Sequence, residues 1–316
     1  MIVAENLTKY YGDHAVIADV SFEIQAGEVV GLLGLNGAGK TTTLRVLSGL
    51  LVPTAGRIRV DGIDTAEEPE AVRSRIGFLP EIPPLYPEMR VSEYLAFAAR
   101  IKGFSGDLDA AINDALSATE LNDARHDFIG TLSHGFHRRV GIAQAIVHRP
   151  KLILLDEPTS GLDPRQIVHM RGVIRNLGRN NTILLSSHIL REVEQVCDRI
   201  IVLQDGRIVA SGTHDELARK VAGKTTVKVE VRGAAIELVA ALGKAAEVAR
   251  HNIDNEAGGL TRATVELKSD SLEALAKTLV DSGLGLRGMQ RVHLELENTF
   301  LKLTATEKNP SKEATS

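Results

Sequence analysis

Two short runs hold the residues best suited to chemistry. Gly34-Leu35-Asn36-Gly37-Ala38-Gly39-Lys40-Thr41-Thr42 fits the pattern G-x-x-x-x-G-K-[ST]. Its glycines let successive backbone N–H groups curl around phosphate oxygens. Residues Thr43–Leu50 are helical in composition. A helix starting there would aim its free N–H groups and positive dipole end at the same anion. Lys40 is then expected to reach the β- and γ-phosphates of a nucleotide, and the Thr41 hydroxyl to ligate Mg2+. The second run is Leu152-Ile153-Leu154-Leu155-Asp156-Glu157. It reads as an apolar strand carrying two carboxylates to its C-terminal edge, where ligands bind in α/β sheets. Asp156 is expected to hold Mg2+ through water, and Glu157 to polarise an attacking water as general base. Acidic pairs at strand ends are common, so this one takes its meaning from the phosphate loop.

Both runs need a sheet to hold them. Val29–Leu33, Leu152–Leu155, Thr182–Leu185 and Arg199–Leu203 are short apolar runs, as in strands covered on both faces of a parallel sheet. Ile2–Leu7 and Val20–Ile24 alternate apolar and polar, as half-exposed strands do. Glu88 to His148 reads as helical, with one Gly- and Asp-containing break at Gly103 to Asp107. Residues 1–218 thus predict an α/β domain: a parallel-sheet core, an antiparallel β subdomain and a helical subdomain. Residues 224–305 predict a separate accessory domain of order βαββαβ, ferredoxin-like and α+β. Its expected elements are strands at Thr225–Val231, Glu247–Ile253, Leu260–Leu267 and Leu286–Leu296 and helices at Ala234–Lys244 and Ser271–Val280. A short closing helix is expected at Asn298–Leu303, and a disordered tail over 306–316.

Composition narrows the function classes. The chain has 316 residues, 43% hydrophobic and 25% charged, enough apolar material to bury a sizeable core. Its net charge of −4 gives no electrostatic case for nucleic acid as a partner. The single cysteine, Cys197, can form neither an internal disulfide nor a Cys-rich metal site, and suits a reducing compartment. No secretory signal and no run of about 18 apolar residues is present, so membrane work is expected to go through a partner.

Taken in order, these motifs resemble the ATP-binding cassette (ABC) ATPases, the nucleotide-binding subunits of ABC transporters. The resemblance covers residues 1–218. Tyr11, 29 residues before Lys40, stands where the family stacks an aromatic on adenine. Leu132-Ser133-His134-Gly135-Phe136 stands where the family has LSGGQ, whose serine and glycine contact the γ-phosphate held by the opposite subunit. His134 and Phe136 depart from that pattern. Ser160-Gly161-Leu162-Asp163 resembles the D-loop, which crosses the dimer seam. His188, 31 residues after Glu157, takes the place of the switch histidine near the γ-phosphate. Glu81 occupies the position of a glutamine that bridges Mg2+ and the membrane subunit, and a carboxylate can also ligate Mg2+. Leu79-Pro80-Glu81 and the altered signature look like the exporter-type subgroup with the gliding-motility and copper-protein-maturation ATPases.

The resemblance implies an ATPase with ATP and Mg2+ as cofactors, working as a head-to-tail dimer with a second, expectedly identical, ATP-binding subunit. An integral membrane permease is the implied partner, gripped through the region from about Glu81 to Gly130. The implied location is cytoplasmic, peripheral at the inner face of the cell membrane. Two rival readings are a nucleotide-dependent regulatory scaffold of low turnover and a soluble ABC ATPase of translation. The second fits poorly with one phosphate loop and no basic patch.

Overall fold

The computed structural model describes residues 1–217, 225–268 and 271–291. The chain forms two compact units, Met1–Thr213 and His214–Ser316. In chain order the first unit runs β1 (Ile2–Tyr11), β2 (His14–Ile24), β3 (Val29–Leu33), α1 (Lys40–Leu47), β4 (Ala55–Val60), β5 (Ile63–Asp64), α2 (Pro69–Arg73) and β6 (Ile76–Leu79). It continues with α3 (Val91–Ile101), α4 (Leu108–Ala118), α5 (His134–Ile146), β7 (Leu152–Leu155), α6 (Pro164–Gly178), β8 (Thr182–Ser187), α7 (Leu190–Glu194), β9 (Arg199–Gln204) and β10 (Arg207–Gly212).

The apolar runs assemble into one six-stranded sheet of order β10-β9-β3-β8-β7-β6. Five strands are parallel, and only β10 joins antiparallel at the edge. Every residue of β3, β7 and β8 is buried, which is why these runs lack a polar face. Alternate side chains point to opposite faces. Val30, Leu32, Leu154, Leu184 and Leu203 join Leu44 and Leu47 of α1 and Leu7, Ile17 and Ile24 of the second sheet in one core. Fully burying one such leucine contributes roughly 1.5–3 kcal/mol. That second sheet is antiparallel, of order β2-β1-β4-β5. The five parallel strands end along one edge. The segments after β3, β6, β7 and β8 therefore emerge side by side there, although more than 150 residues separate the first from the last.

The helical region has its own core, in which Val91 and Leu95 of α3 meet Ile112 and Leu116 of α4 and Val140 of α5. The expected break lies between α3 and α4, where Asp107 caps α4 by accepting the Ala110 N–H at 3.0 Å. A second break, between α4 and α5, escaped the sequence reading. It spans Thr119 to Ser133 and holds two 3-10 turns, Asn122–Ala124 and Ile129–Thr131. Helix α1 begins at Lys40, three residues before the sequence places it, because Gly39 at φ 100° turns the chain into the helix.

The second unit contains β11 (Thr225–Arg232), α8 (Ala235–Lys244), β12 (Val248–Ala257), β13 (Leu260–Leu267), α9 (Leu272–Asp281) and β14 (Gly285–Arg291). The order is βαββαβ, as expected, and the sheet runs β12-β13-β11-β14, every neighbouring pair antiparallel. Val227, Val229, Val231, Ala263 and Val265 alternate onto the face covered by Leu238 of α8 and Leu275 and Leu279 of α9. Gly258 and Gly259, at φ 60° and 74°, make the tight link from β12 to β13. The boundary at 218–224, the cap at Ser269-Asp270, the end of the last strand beyond Arg291, the helix expected at Asn298–Leu303 and the tail over 306–316 lie outside the described residues. Among the described residues no helix is long and apolar enough to cross a membrane.

Candidate functional site

The phosphate loop joins β3 to α1 and is held from below by close backbone contacts. A Cβ on Gly34 would stand 2.6 Å from the Leu203 carbonyl oxygen, and one on Gly39 would stand 2.7 Å from that of Val16. Gly37, at φ 86°, supplies the other left-handed position. Ala38 is buried, and its carbonyl accepts the Gly206 N–H at 3.2 Å. The loop is thus packed against the ends of β2 and β9, while Asn36, Gly37, Gly39, Lys40, Thr41 and Thr42 face a cleft of about 370 Å3. Glu81, Glu157 and His188, from three other strand ends, line the same cleft, with Val16 and Ser160. That volume falls within the usual range for small-molecule sites, about 300–1,000 Å3.

Inside the cleft the charges are linked. The Lys40 ammonium donates to the carbonyls of Gly34 (2.8 Å) and Leu35 (3.3 Å) and lies 3.3 Å from Glu157 Oε1. The other Glu157 oxygen, Oε2, is 2.9 Å from His188 Nδ1. Glu157 sits at φ 46°, a left-handed position unusual for a glutamate, which marks local strain at the strand end. Its backbone N–H donates to Ser186 Oγ at 2.9 Å. The Ser186 hydroxyl in turn donates to Asp156 Oδ1 at 2.7 Å, and the Thr41 hydroxyl donates to the same oxygen at 3.1 Å.

Asp156 is 1% exposed, and its Oδ2 has no hydrogen-bond partner. Burial pushes its carboxyl above the usual range, with Glu81 and Glu157 adding to the rise and the Ser186 and Thr41 bonds opposing it. A buried carboxylate oxygen without a partner, beside a threonine hydroxyl and a second carboxylate, is an all-oxygen donor set. Such a set fits a hard divalent cation of the Mg2+ type.

The structure does not bring every expected residue to this cleft. Tyr11 ends β1, half exposed, opposite His14 and with the Lys9 ammonium 5.7 Å from its ring centre. It is not part of the cleft wall, where Val16 supplies an apolar contact. Ser133 and Gly135 are not part of that wall either. Ser133 is the exposed N-cap residue of α5, and its side chain makes no capping bond. It lines a separate hollow of about 90 Å3 with Gly135, Phe136 and Gln166. Phe136 packs under the Arg139 guanidinium at 4.0 Å, and His134 stands against Gly161, so both signature departures have neighbours within the chain. Asp163 caps α6, accepting the N–H groups of Arg165 (2.9 Å) and Gln166 (3.0 Å).

Three polar residues of the site escaped the sequence reading. Ser186, fully buried, ties Asp156 to the Glu157 backbone. Its signal was a hydroxyl pair, Ser186-Ser187, closing an apolar strand. Glu192 of α7 is 6% exposed and accepts hydroxyl bonds from Thr159 and, at 3.3 Å, from Ser187. It thereby joins the segment after Glu157 to the strand end before His188. Arg138 of α5 is 5% exposed and donates to the Ser160 carbonyl at 3.4 Å.

Comparison with known proteins identifies the family. The family model described as ABC transporter matches residues 17–160. The linearmycin resistance ATP-binding protein LnrL of Bacillus subtilis (strain 168) is 32% identical over 314 residues, covering 96% of this chain and 98% of its own. The bacitracin transport ATP-binding protein BcrA of Bacillus licheniformis is 32% identical over 305 residues, covering 96% and 97%. A solved dimeric post-hydrolysis state of the ATP-binding cassette MJ0796, bound to ADP and Pi, matches with a TM-score of 0.61 and 26% identity. That match covers 67% of this chain and 98% of the cassette. With phosphate loop, paired carboxylates and histidine gathered at one sheet edge, the chain belongs to the ATP-binding subunits of ABC transporters, and it is an ATPase.

Proposed function

We propose that ATP binds in the cleft with Mg2+ and that its hydrolysis drives a separate membrane permease. The observation that carries this reading is the unpartnered Asp156 Oδ2 beside Thr41, with Glu157 held between Lys40 and His188. Thr41, Asp156 and Glu81 would hold Mg2+, and the ion would supply charge neutralisation for the phosphate tail. Lys40 moves its ammonium from Glu157 Oε1 to the γ-phosphate. Glu157 Oε1 is then free to take the proton of an attacking water, while His188 Nδ1–H fixes Oε2. The loop N–H groups from Asn36 to Thr42 cradle the phosphate tail. Tyr11, half exposed at the end of β1, is the adenine platform in this reading.

The site of one chain lacks a cap over the γ-phosphate. Ser133 and Gly135 of a second copy would supply it, the copies pairing head to tail across Asp163. Two features support this: the exposed Ser133 at the start of α5, whose side chain makes no capping bond, and the dimeric form of the solved cassette. Hydrolysis removes the bridging charge, and the pair reopens. The region from about Glu81 to Gly130 would pass that motion to the permease, which places the chain at the cytoplasmic membrane face. The Leu79-Pro80-Glu81 form supports the narrower exporter-type assignment. Residues 1–218 form the motor in this reading, and 224–305 an accessory domain.

Steady-state ATP hydrolysis by the purified chain tests the proposal. Glu157→Gln should lower kcat by about 10²–10⁴-fold while ATP binding persists. Normal turnover in that variant would refute the assigned base. Co-purification from membranes should recover an integral membrane protein, and its absence would refute the permease coupling.

A further inference from the structure

Arg138 is a buried cation with unused hydrogen-bonding capacity next to the cleft. Its Nη2 donates to the Ser160 carbonyl, while Nε and Nη1 are buried without a partner. Ser160 itself lines the cleft together with Glu81 and Glu157. Gly141 lies one turn further along the same face of α5. A Cβ there would stand 2.5 Å from Leu79 Cδ1 and 3.1 Å from Pro83 Cβ. Leu79 and Pro83 bracket Glu81 in the chain. The Arg138 face of α5 is thus packed on the loop that carries the glutamate.

We propose that Arg138 is a positioning residue for Glu81. Its buried guanidinium makes no direct bond to Glu81 in this structure and acts on it through charge, as the fixed positive centre that draws the exposed Glu81 carboxylate toward the cleft. Glu81 is exposed and adds a third carboxylate to the cleft that Glu157 lines and Asp156 adjoins, and like charges gathered there repel one another. A guanidinium with two free N–H donors can pair with a carboxylate through both oxygens. Charge–charge attraction supports the pairing. Burial draws the Arg138 guanidinium below its ordinary value, and Glu81 leads the carboxylates that oppose this, ahead of Asp156 and Glu157. The bond to Ser160 extends the link to the segment leading into Asp163, so one side chain of α5 fastens two cleft-lining loops.

A four-member cycle tests this: the native chain, Arg138→Gln, Glu81→Gln and the double variant, each measured for thermal midpoint without nucleotide and for ATP turnover. Only the turnover arm rests on the proposed hydrolysis, so in a chain that turned over no ATP the thermal arm would still decide the pairing. Arg138→Gln should lower kcat about tenfold with KM for ATP changed less than about twofold, because the phosphate loop binds the nucleotide. In the Glu81→Gln background the same substitution should cost less than about threefold, and the drop in thermal midpoint should shrink alongside it. Equal costs in both backgrounds, in both measurements, would overturn the proposal. If Arg138→Gln folds only when residue 81 is glutamine, the coupling is supported. If it folds in neither background, Arg138→Lys replaces it, keeping the charge but losing the fork. A coupling to Glu81 in that cycle supports the pairing, and additivity overturns it.

Discussion

Mild acid should destabilise the first unit through His148. This imidazole is 7% exposed, just past the end of α5, and its Nε2 lies 3.2 Å from the Ile76 carbonyl oxygen at the head of β6. A carbonyl only accepts, so the neutral ring carries its proton on Nε2 and leaves Nδ1 bare. Nδ1 is buried with no partner, so a second proton there would have no acceptor. The Lys102 ammonium donates to the same carbonyl at 3.2 Å. Burial first, and Lys102 second, push the His148 pKa down to about 4 from an ordinary 6.5. The folded value is depressed, so the unfolded chain takes up the proton first. The stabilisation is complete above about pH 6.5 and is lost as pH falls from there toward about 4. A difference of this size is worth roughly 3 kcal/mol in full, and roughly 2 kcal/mol by about pH 5. Because other groups titrate in the same range, the control is His148→Gln, whose amide can donate to Ile76 and does not titrate. Urea unfolding of both chains at about pH 7, 6 and 5 gives the comparison. The native chain's stability relative to the variant should fall by roughly 2 kcal/mol between about pH 7 and pH 5. A difference that stays flat across that interval refutes the buried neutral histidine.

Two further outcomes follow from the buried polar contacts. Ser186→Ala removes the donor to Asp156 and the acceptor for the Glu157 N–H. It should cost about 2–4 kcal/mol in urea unfolding and lower ATP turnover by at least about tenfold. Glu192→Ala strands the Thr159 and Ser187 hydroxyls and should cost about 2 kcal/mol, whereas Glu192→Gln, which still accepts from both, should recover most of it. Equal losses in the alanine and glutamine variants would show that Glu192 works through its charge and not as an acceptor.

Some of the site could be read from the chain because its chemistry is local. Gly37, Gly39, Lys40 and Thr41 act within one turn of backbone, so their spacing already contains the geometry. Asp156 and Glu157 were legible for a related reason: an apolar strand must deliver its last residues to the sheet edge. Ser186 was not legible, because its role depends on β8 lying beside β7, and strand order is a property of the assembled sheet. Arg138 depends on which face of α5 meets Leu79 and Pro83, and no spacing rule states that. The break between α4 and α5 was missed because Thr119 to Ser133 holds two short turns and no proline to mark it. Tyr11 shows the opposite limit: its position along the chain matches the family, but its distance from the cleft depends on how the end of β1 packs, and the residues that line the cleft include Val16 and not Tyr11.

The most direct test of the account is whether ATP joins Lys40 of one copy to Ser133 of another. Asn36, four residues before Lys40, and His134, next to Ser133, are exposed, so cysteines can be placed there, Asn36→Cys with His134→Cys, in a chain that also carries Glu157→Gln. The native Cys197 is half-buried, and desolvation raises its thiol pKa, which slows its reaction. With a short bismaleimide, the account predicts a covalent dimer that forms with ATP and Mg2+ and vanishes when ATP is withheld or Lys40→Ala is added. No crosslinked dimer, or one indifferent to ATP, would contradict it.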